Sequence, residues 1–293
     1  MVTATYDISH KTTYRYATPV VHSDQRLHLA PRAMPNQTIN AHALLIEPAP
    51  THRRDGVDSF GNPISVLEID REHSTFTVQA TSRVTVVAAP RVELAQSMPW
   101  EDVAHLLRCG PPPHDIDIVQ FTSSSRLTMP SLAIADFALQ SFTPGRPVLE
   151  AAFDLTRRIF TEFRFDPTAT DVSTPVTEVL RLKRGVCQDF SHLALAALRA
   201  LRLPARYISG YLLTRPPPGV AKLRGADASH AWIAVWAPGH GWVQFDPTNG
   251  IVPTDEHIAF AHGRDYDDIN PVSGVILGGA DHTVSVAVDV DPV

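Results

Sequence analysis

Residues 184–203 read RGVCQDFSHLALAALRALRL, and residues 227–250 read DASHAWIAVWAPGHGWVQFDPTNG. In the first stretch Cys187, Phe190, Ala194, Ala197, Leu198 and Leu201 recur at three- and four-residue steps, the spacing of one buried helix face. Gly185 and Val186 lead into this helix and Pro204 ends it, which puts Cys187 in its first turn. There the helix dipole and backbone N–H groups that lack an intrahelical acceptor favour a thiolate, the nucleophilic form of cysteine. In the second stretch HAWIAVWAP and GWVQFDPTN read as two strands joined through a short GHG connection. His230 opens the first strand and Asp246 closes the second, so a hairpin holds them on neighbouring strands, ~5 Å apart across the ladder. Packing this hairpin on the Cys187 helix lines up a sulfur, an imidazole and a carboxylate. The imidazole would pass protons and the carboxylate would fix its tautomer. Singly, each residue has an ordinary role: a small buried hydrophobe, one of 14 histidines, a turn former before Pro247. Together, 43 (230 − 187) and 16 (246 − 230) residues apart, they point to nucleophilic catalysis.

Outward from this centre, ARYISGYLL at 205–213 is a further strand, in which Arg206, Tyr207 and Tyr211 are expected to pack. His192 lies five residues beyond Cys187 and therefore points elsewhere on the helix. Trp232, Trp236 and Trp242 read as core or groove wall, with Trp232 placed to shield the imidazole. The loop at 215–229, RPPPGVAKLRGADAS, is the natural place for side-chain selectivity. Upstream, Leu149, Ala152, Phe153, Ile159, Phe160 and Phe163 define an amphipathic helix, and a short helix follows around Thr177–Leu182. The first ninety residues are different in kind. Tyr6, Ile8, His10, Thr12, Tyr14 and Tyr16 alternate with polar residues, and so do Phe76, Val78, Ala80, Val84 and Val86. With AHALLIEP and PISVLEI between them, the latter launched by DSFGNP, these form an antiparallel β domain, sandwich-like in expectation. Prolines and Gly110 break up the stretch from Pro90 to Pro147, a connector with one short helix near Ser131–Gln140. Val284, Val286, Val288 and Val290 alternate in a final strand. The expected division is 1–90, 91–147 and 148–293, the last including the β tail.

Composition narrows the functions available. The chain has 293 residues, 44% hydrophobic and 19% charged, which suits a packed core. With 25 basic and 31 acidic residues the net charge is −6, giving no electrostatic support for nucleic-acid binding. Cys109 and Cys187 cannot build a disulfide framework or a paired-cysteine zinc site. No HExxH pattern occurs, and the Asp265, Asp267, Asp268 cluster lacks the spacing of a calcium loop, so neither metal nor cofactor is expected. A signal-peptide pattern and an apolar run of bilayer length are both missing, and the expectation is a cytoplasmic protein without membrane contact.

The three blocks around Cys187, His230 and Asp246 strongly resemble the core of the bacterial transglutaminase-like superfamily, in that family's Cys–His–Asp order. YDISHKTTYRYATPV, LAPR and DSFGN resemble the β-rich region that precedes the core in such proteins, and HGRDYDDINPVSGVILGG resembles their tail. The resemblance implies an α+β fold: a papain-like core, with the cysteine-bearing helix packed on an antiparallel sheet, behind an antiparallel β domain. It also implies Cys187 as nucleophile, His230 as general base then acid, and Asp246 as the orienting group. Attack on the amide of a peptide or protein substrate would give a thioester. Water would release it in a cysteine protease or amidase, the preferred expectation, because amine transfer or cross-linking needs a protected acceptor channel. A transglutaminase, a glutamine deamidase or a non-catalytic scaffold are the alternatives. The oxyanion candidates are the backbone N–H of Cys187 and Gln188; the groove candidates are Trp232 and Asp189, the latter expected first of all to cap its own helix N-terminus. Animal transglutaminases place a tryptophan well upstream of the nucleophile; here the nearest is Trp100, inside the connector.

Overall fold

The structure, a computed structural model, describes residues 3–109, 115–214, 224–225 and 227–293. The chain first makes five strands: β1 (Thr3–Leu27), β2 (Gln37–Glu47), β3 (His52–Val57), β4 (Pro63–Ile69) and β5 (His73–Val87). Three helices follow, α1 (Trp100–Cys109), α2 (Ile116–Val119) and α3 (Leu132–Leu139), then α4 (Val148–Glu162). Strands β6 (Arg164–Phe165) and β7 (Arg184–Gly185) flank α5 (Val176–Leu182), and α6 (Cys187–Ala200) is the cysteine helix. The last strands are β8 (Ala205–Leu212), β9 (Ser229–Ala237), β10 (Gly241–Phe245), β11 (His257–Gly263), β12 (Val272–Gly278) and β13 (His282–Pro292).

The N-terminal strands form one seven-stranded antiparallel sheet in the order β2-β5-β1-β4-β3, with β12 and β13 also paired to β1. The 25-residue β1 organises it. Its first half pairs with β5 and β13 and its second half with β4 and β12, across register breaks between Arg15 and Val20 and between Val20 and His22. Those breaks let the sheet turn over on itself, so Tyr16, Phe76 and Val78 share a buried cluster with Leu27, Leu67 and Ile69. The C-terminal tail corrects one expectation. It was placed with the last third of the chain, yet β12 and β13 complete the first sheet. Sequence alternation shows that Val284–Val290 is a strand, but says nothing about which edge it joins.

The second sheet has the order β10-β9-β8-β11, all antiparallel. Helix α6 packs on one face of it, burying Leu193, Ala194, Ala197 and Leu198 against Tyr207, Ile233, Val235 and Phe245. Residues Tyr6, Ile8, Val84, Val86, Val288 and Val290 of the first sheet belong to this same cluster, so the two sheets share a core. Buried His10 seals the join, its Nδ1 lying 2.9 Å from the Tyr211 hydroxyl. Among the described residues no helix is long and apolar enough to cross a membrane.

Candidate active site

The start of α6 is fixed by local chemistry. Strands β6 and β7 pair in parallel, Arg164 with Arg184 and Phe165 with Gly185, and so tie the exit of α4 to the start of α6. Asp189 sits at the third helical position and its carboxylate accepts the Val186 N–H at 2.8 Å and the Thr170 hydroxyl at 2.6 Å. This is an N-terminal cap satisfying a donor outside the helix ladder. Gly185 is required by it, because a Cβ there would stand 2.6 Å from Asp189 Oδ2. Asp189 is 3% exposed, and burial, ahead of the two hydrogen bonds, leaves its carboxyl above the ordinary range. Asp189 is thus the helix cap expected of an acidic residue in the first turn, with Oδ2 taking both bonds, and not a groove residue.

His230 stands at the head of β9, opposite Gly210 of β8. That pairing needs a glycine, since a Cβ at 210 would run into the Ile258 carbonyl and the Trp232 ring. Asp246 follows β10, whose Phe245 pairs with Ile233, so His230 and Asp246 are diagonal neighbours on one face. The carboxylate divides its work. Oδ1 accepts the Thr248 N–H at 2.9 Å and the Asn249 N–H at 3.2 Å, forming the turn after Pro247. Oδ2 lies 2.8 Å from His230 Nε2 and accepts the Asn249 side-chain amide at 2.7 Å. Turn former and imidazole anchor are thus the same residue.

With Nε2 engaged by Asp246 and 3.5 Å from the Asn249 amide, the nitrogen left to His230 is Nδ1, and Cys187 is close enough to act on the ring. Burial pulls the imidazole down, but hydrogen bonds to Asp246 and Cys187 and their charges outweigh it, and His230 is pushed up to about 10. Burial acts against the Asp246 anion, yet hydrogen bonds from His230, His257 and Asn249 hold its carboxyl well below the usual range. The structure therefore brings Cys187, His230 and Asp246 together from a helix, a strand and a turn. Asp246 is fully buried, His230 nearly so, and Cys187 half-buried.

The other candidates are placed as follows. Trp232 is 0% exposed, stacked 5.9 Å from the His230 ring, with its indole N–H donated to Gln244 Oε1 at 2.7 Å. It backs the imidazole from inside, as core and as the ring's shield, and with no exposed surface it is not a groove wall. Gln188 donates its side-chain amide to the Val172 carbonyl at 3.4 Å. Trp100 lies at the start of α1, bonded to the Thr143 carbonyl and packed on Phe142. His192 is buried and accepts the Tyr266 N–H at 3.2 Å. Of the selectivity loop, residues 215–223 and 226 lie outside the described residues.

One residue escaped the sequence reading. His257, at the start of β11, puts Nε2 3.1 Å from the same Asp246 Oδ2. The Thr254 N–H donates to its Nδ1 at 3.4 Å, which leaves the ring proton on Nε2, directed at the carboxylate. The available signal was a histidine heading an apolar run, HIAFAHG, in the strand after Asp246. That strand is buried on both faces, so it shows no alternation to attract notice. His230, Asp246 and His257 also form a cluster with metal-ligand spacing. Both imidazoles are bonded to the carboxylate through Nε2.

The bacterial transglutaminase-like N-terminal region matches residues 6–85, and the transglutaminase-like superfamily matches residues 136–247. Uncharacterized protein Rv2569c of Mycobacterium tuberculosis is 38% identical over 295 residues, covering 98% of this chain and 92% of its own. This chain belongs to the transglutaminase-like superfamily. A solved structure from Cytophaga hutchinsonii, described as a candidate cysteine protease, superposes with a TM-score of 0.76. It covers 100% of this chain and 91% of its own at 22% identity, and shows the fold alone. A protein-glutamine gamma-glutamyltransferase of Pseudomonas aeruginosa is 28% identical over 107 residues, 34% of this chain and 16% of its own. The α+β architecture of this transglutaminase-like chain, with its N-terminal β region, is thus seen both in the strand pairing and in its relatives.

Proposed function

We propose that this protein carries out thiol-dependent acyl transfer on peptide or related amide bonds, with water as the acceptor. The observation that carries the reading is His230 held between the Cys187 sulfur and the buried Asp246 carboxylate. Cys187 attacks the amide carbonyl carbon as His230 takes the thiol proton. The tetrahedral oxyanion meets the backbone N–H of Cys187, which in the first helical turn has no intrahelical acceptor. Gln188 is the candidate second donor. His230 then protonates the departing amine, leaving a thioester on Cys187. Water, deprotonated by His230, attacks that thioester; the acid leaves and the thiol is restored. Asp246 holds the imidazole with Nδ1 toward the sulfur and stabilises the imidazolium.

A second reading replaces water by a primary amine. It is favoured by the 107-residue match to the Pseudomonas glutamyltransferase. Incubation with a peptide library, with and without an added amine, separates the two by mass. Fragments indicate proteolysis, a gain of one mass unit indicates deamidation, and an adduct indicates amine transfer.

Labelling tests the sulfur itself. Cys109 is exposed and Cys187 half-buried, so accessibility alone would make Cys109 react faster with iodoacetamide. Activation by His230 reverses that order. Faster alkylation of Cys187, lost in His230→Ala, is expected; equal slow labelling of both, or turnover surviving in Cys187→Ala, would sink the reading.

A further inference from the structure

A cavity of about 270 Å³ lies at the opposite end of the core sheet from the sulfur, lined by Arg32, Phe121, Arg206, Trp242 and His262 among others. Arg206 is the second residue of β8, four before the Gly210 that pairs with His230, so the two places are ~13 Å apart along the strand. The cavity is not part of the catalytic centre.

Its polar groups are unusual. A guanidinium withdrawn from water is ordinarily paired with a carboxylate. Among the described residues, the hydrogen-bond partner of the Arg206 guanidinium is His262 Nε2, at a long 3.5 Å, and its shielded Nε has none. The guanidinium lies over the Trp242 ring, 4.4 Å from the centroid, in a cation–π contact that holds it facing the cavity. Arg32 brings a second guanidinium to the same lining, anchored through Nη1 to the Phe60 carbonyl and Asn62 Oδ1. Burial, and then the charge of Arg32, pulls Arg206 down to about 9, and burial with these two arginines keeps His262 neutral. Arg32 is offset by the charges of Asp58 and Asp117, whereas Arg206, beside Arg32, has no carboxylate acting on it. Asp115 and Asp117 reach the outer part of the cavity on an exposed turn. Asp115 caps the Asp117 N–H at 2.9 Å and Asp117 accepts from Gln120 at 3.4 Å, so both serve their own turn.

We propose that this cavity binds an oxyanion, the carboxylate or phosphate group of a small molecule, through Arg206 and Arg32, with Trp242 and Phe121 as its walls. An oxygen pair facing the Arg206 fork satisfies the orphaned Nε and relieves the repulsion between the arginines. The volume suits a ligand smaller than a drug-sized molecule.

The test uses the full chain, titrated with inorganic phosphate and with benzoate against chloride at matched ionic strength, read by thermal unfolding and calorimetry. One of the two anions is expected to raise Tm saturably above chloride. Benzoate alone acting identifies a carboxylate site, and phosphate alone a phosphate site. Arg206→Met is expected to weaken binding more than tenfold, while its Tm in chloride stays close to wild type because the guanidinium has no carboxylate partner to lose. Arg32→Gln, at the more solvated end, weakens it about tenfold and covers the case in which Arg206→Met does not fold. Cys187→Ala binds the anion unchanged, which separates this site from the catalytic reading. No rise over chloride with either anion, or an undiminished rise in Arg206→Met or Arg32→Gln, would overturn the proposal.

Discussion

Two buried carboxylates in this molecule, Asp58 and Asp246, are wired almost alike. Each accepts two backbone N–H groups on one oxygen, from Phe60 and Asn62 for Asp58 and from Thr248 and Asn249 for Asp246. Each takes an asparagine amide and a histidine Nε2 on the other: Asn62 and His28 at 2.8 and 3.1 Å, Asn249 and His230 at 2.7 and 2.8 Å. The difference lies at the far nitrogen of the ring. His28 turns Nδ1 to the Asn270 carbonyl at 3.2 Å, closing the ring between two protein acceptors. His230 has the Cys187 sulfur acting on its ring instead. Burial dominates at His28 and lowers its pKa, whereas at His230 the carboxylate and sulfur overcome burial and raise it. A buried Asp–His–Asn network is thus a way of stitching loops together, and it becomes chemistry only where the histidine has a reactive neighbour. The Asp58 network does stitch: Asn62 donates to the His262 carbonyl and accepts the His262 N–H, docking the first sheet on β11.

The sharpest way to break this comparison is Asp246→Asn. Turnover is expected to fall by roughly 10⁴-fold, as when a triad carboxylate loses its hold on the imidazole tautomer, with little loss of fold. Steady-state kinetics with circular dichroism checks it. Asp58→Ala is expected to do the converse, costing about 3–5 kcal/mol of stability by orphaning buried partners while turnover per folded molecule holds. If it abolished activity in folded protein, the two networks would not be separable.

Acid and alkali should also part them. His28, lowered in the fold, contributes stability that is lost as pH falls below its ordinary 6.5, because the unfolded chain binds the proton more readily. His230, raised to about 10, contributes stability fully present below 6.5 and lost as pH rises through about 10. Amide exchange should therefore open the Asp58 region first in acid and the Asp246 region first in alkali. Loosening of both on the same side of neutrality would contradict the assignment. The smallest effect is expected for His257→Asn, which removes one of three side-chain donors from Asp246 Oδ2. A roughly tenfold loss in kcat, ~1.4 kcal/mol, with a displaced pH–rate profile marks His257 as a positioning residue. An unchanged profile assigns it to packing.

Much of this was legible in the chain. The three- and four-residue spacing after Cys187 dictated a buried helix with the sulfur in its first turn, and period-two alternation dictated the strands through Tyr6–Tyr16 and Phe76–Val86. Both are local consequences of where side chains point, so sequence alone determines them. The diagonal meeting of His230 and Asp246 followed from a short hairpin. Tertiary structure decided everything that depends on a partner distant along the chain. It chose β1 as the partner for β12 and β13. It put Trp232 beneath the imidazole rather than beside a substrate, and it brought His257 to a carboxylate eleven residues away across a loop. The reason is that a pattern fixes which face of an element is buried, while the neighbour covering that face is set by the packing of the whole molecule.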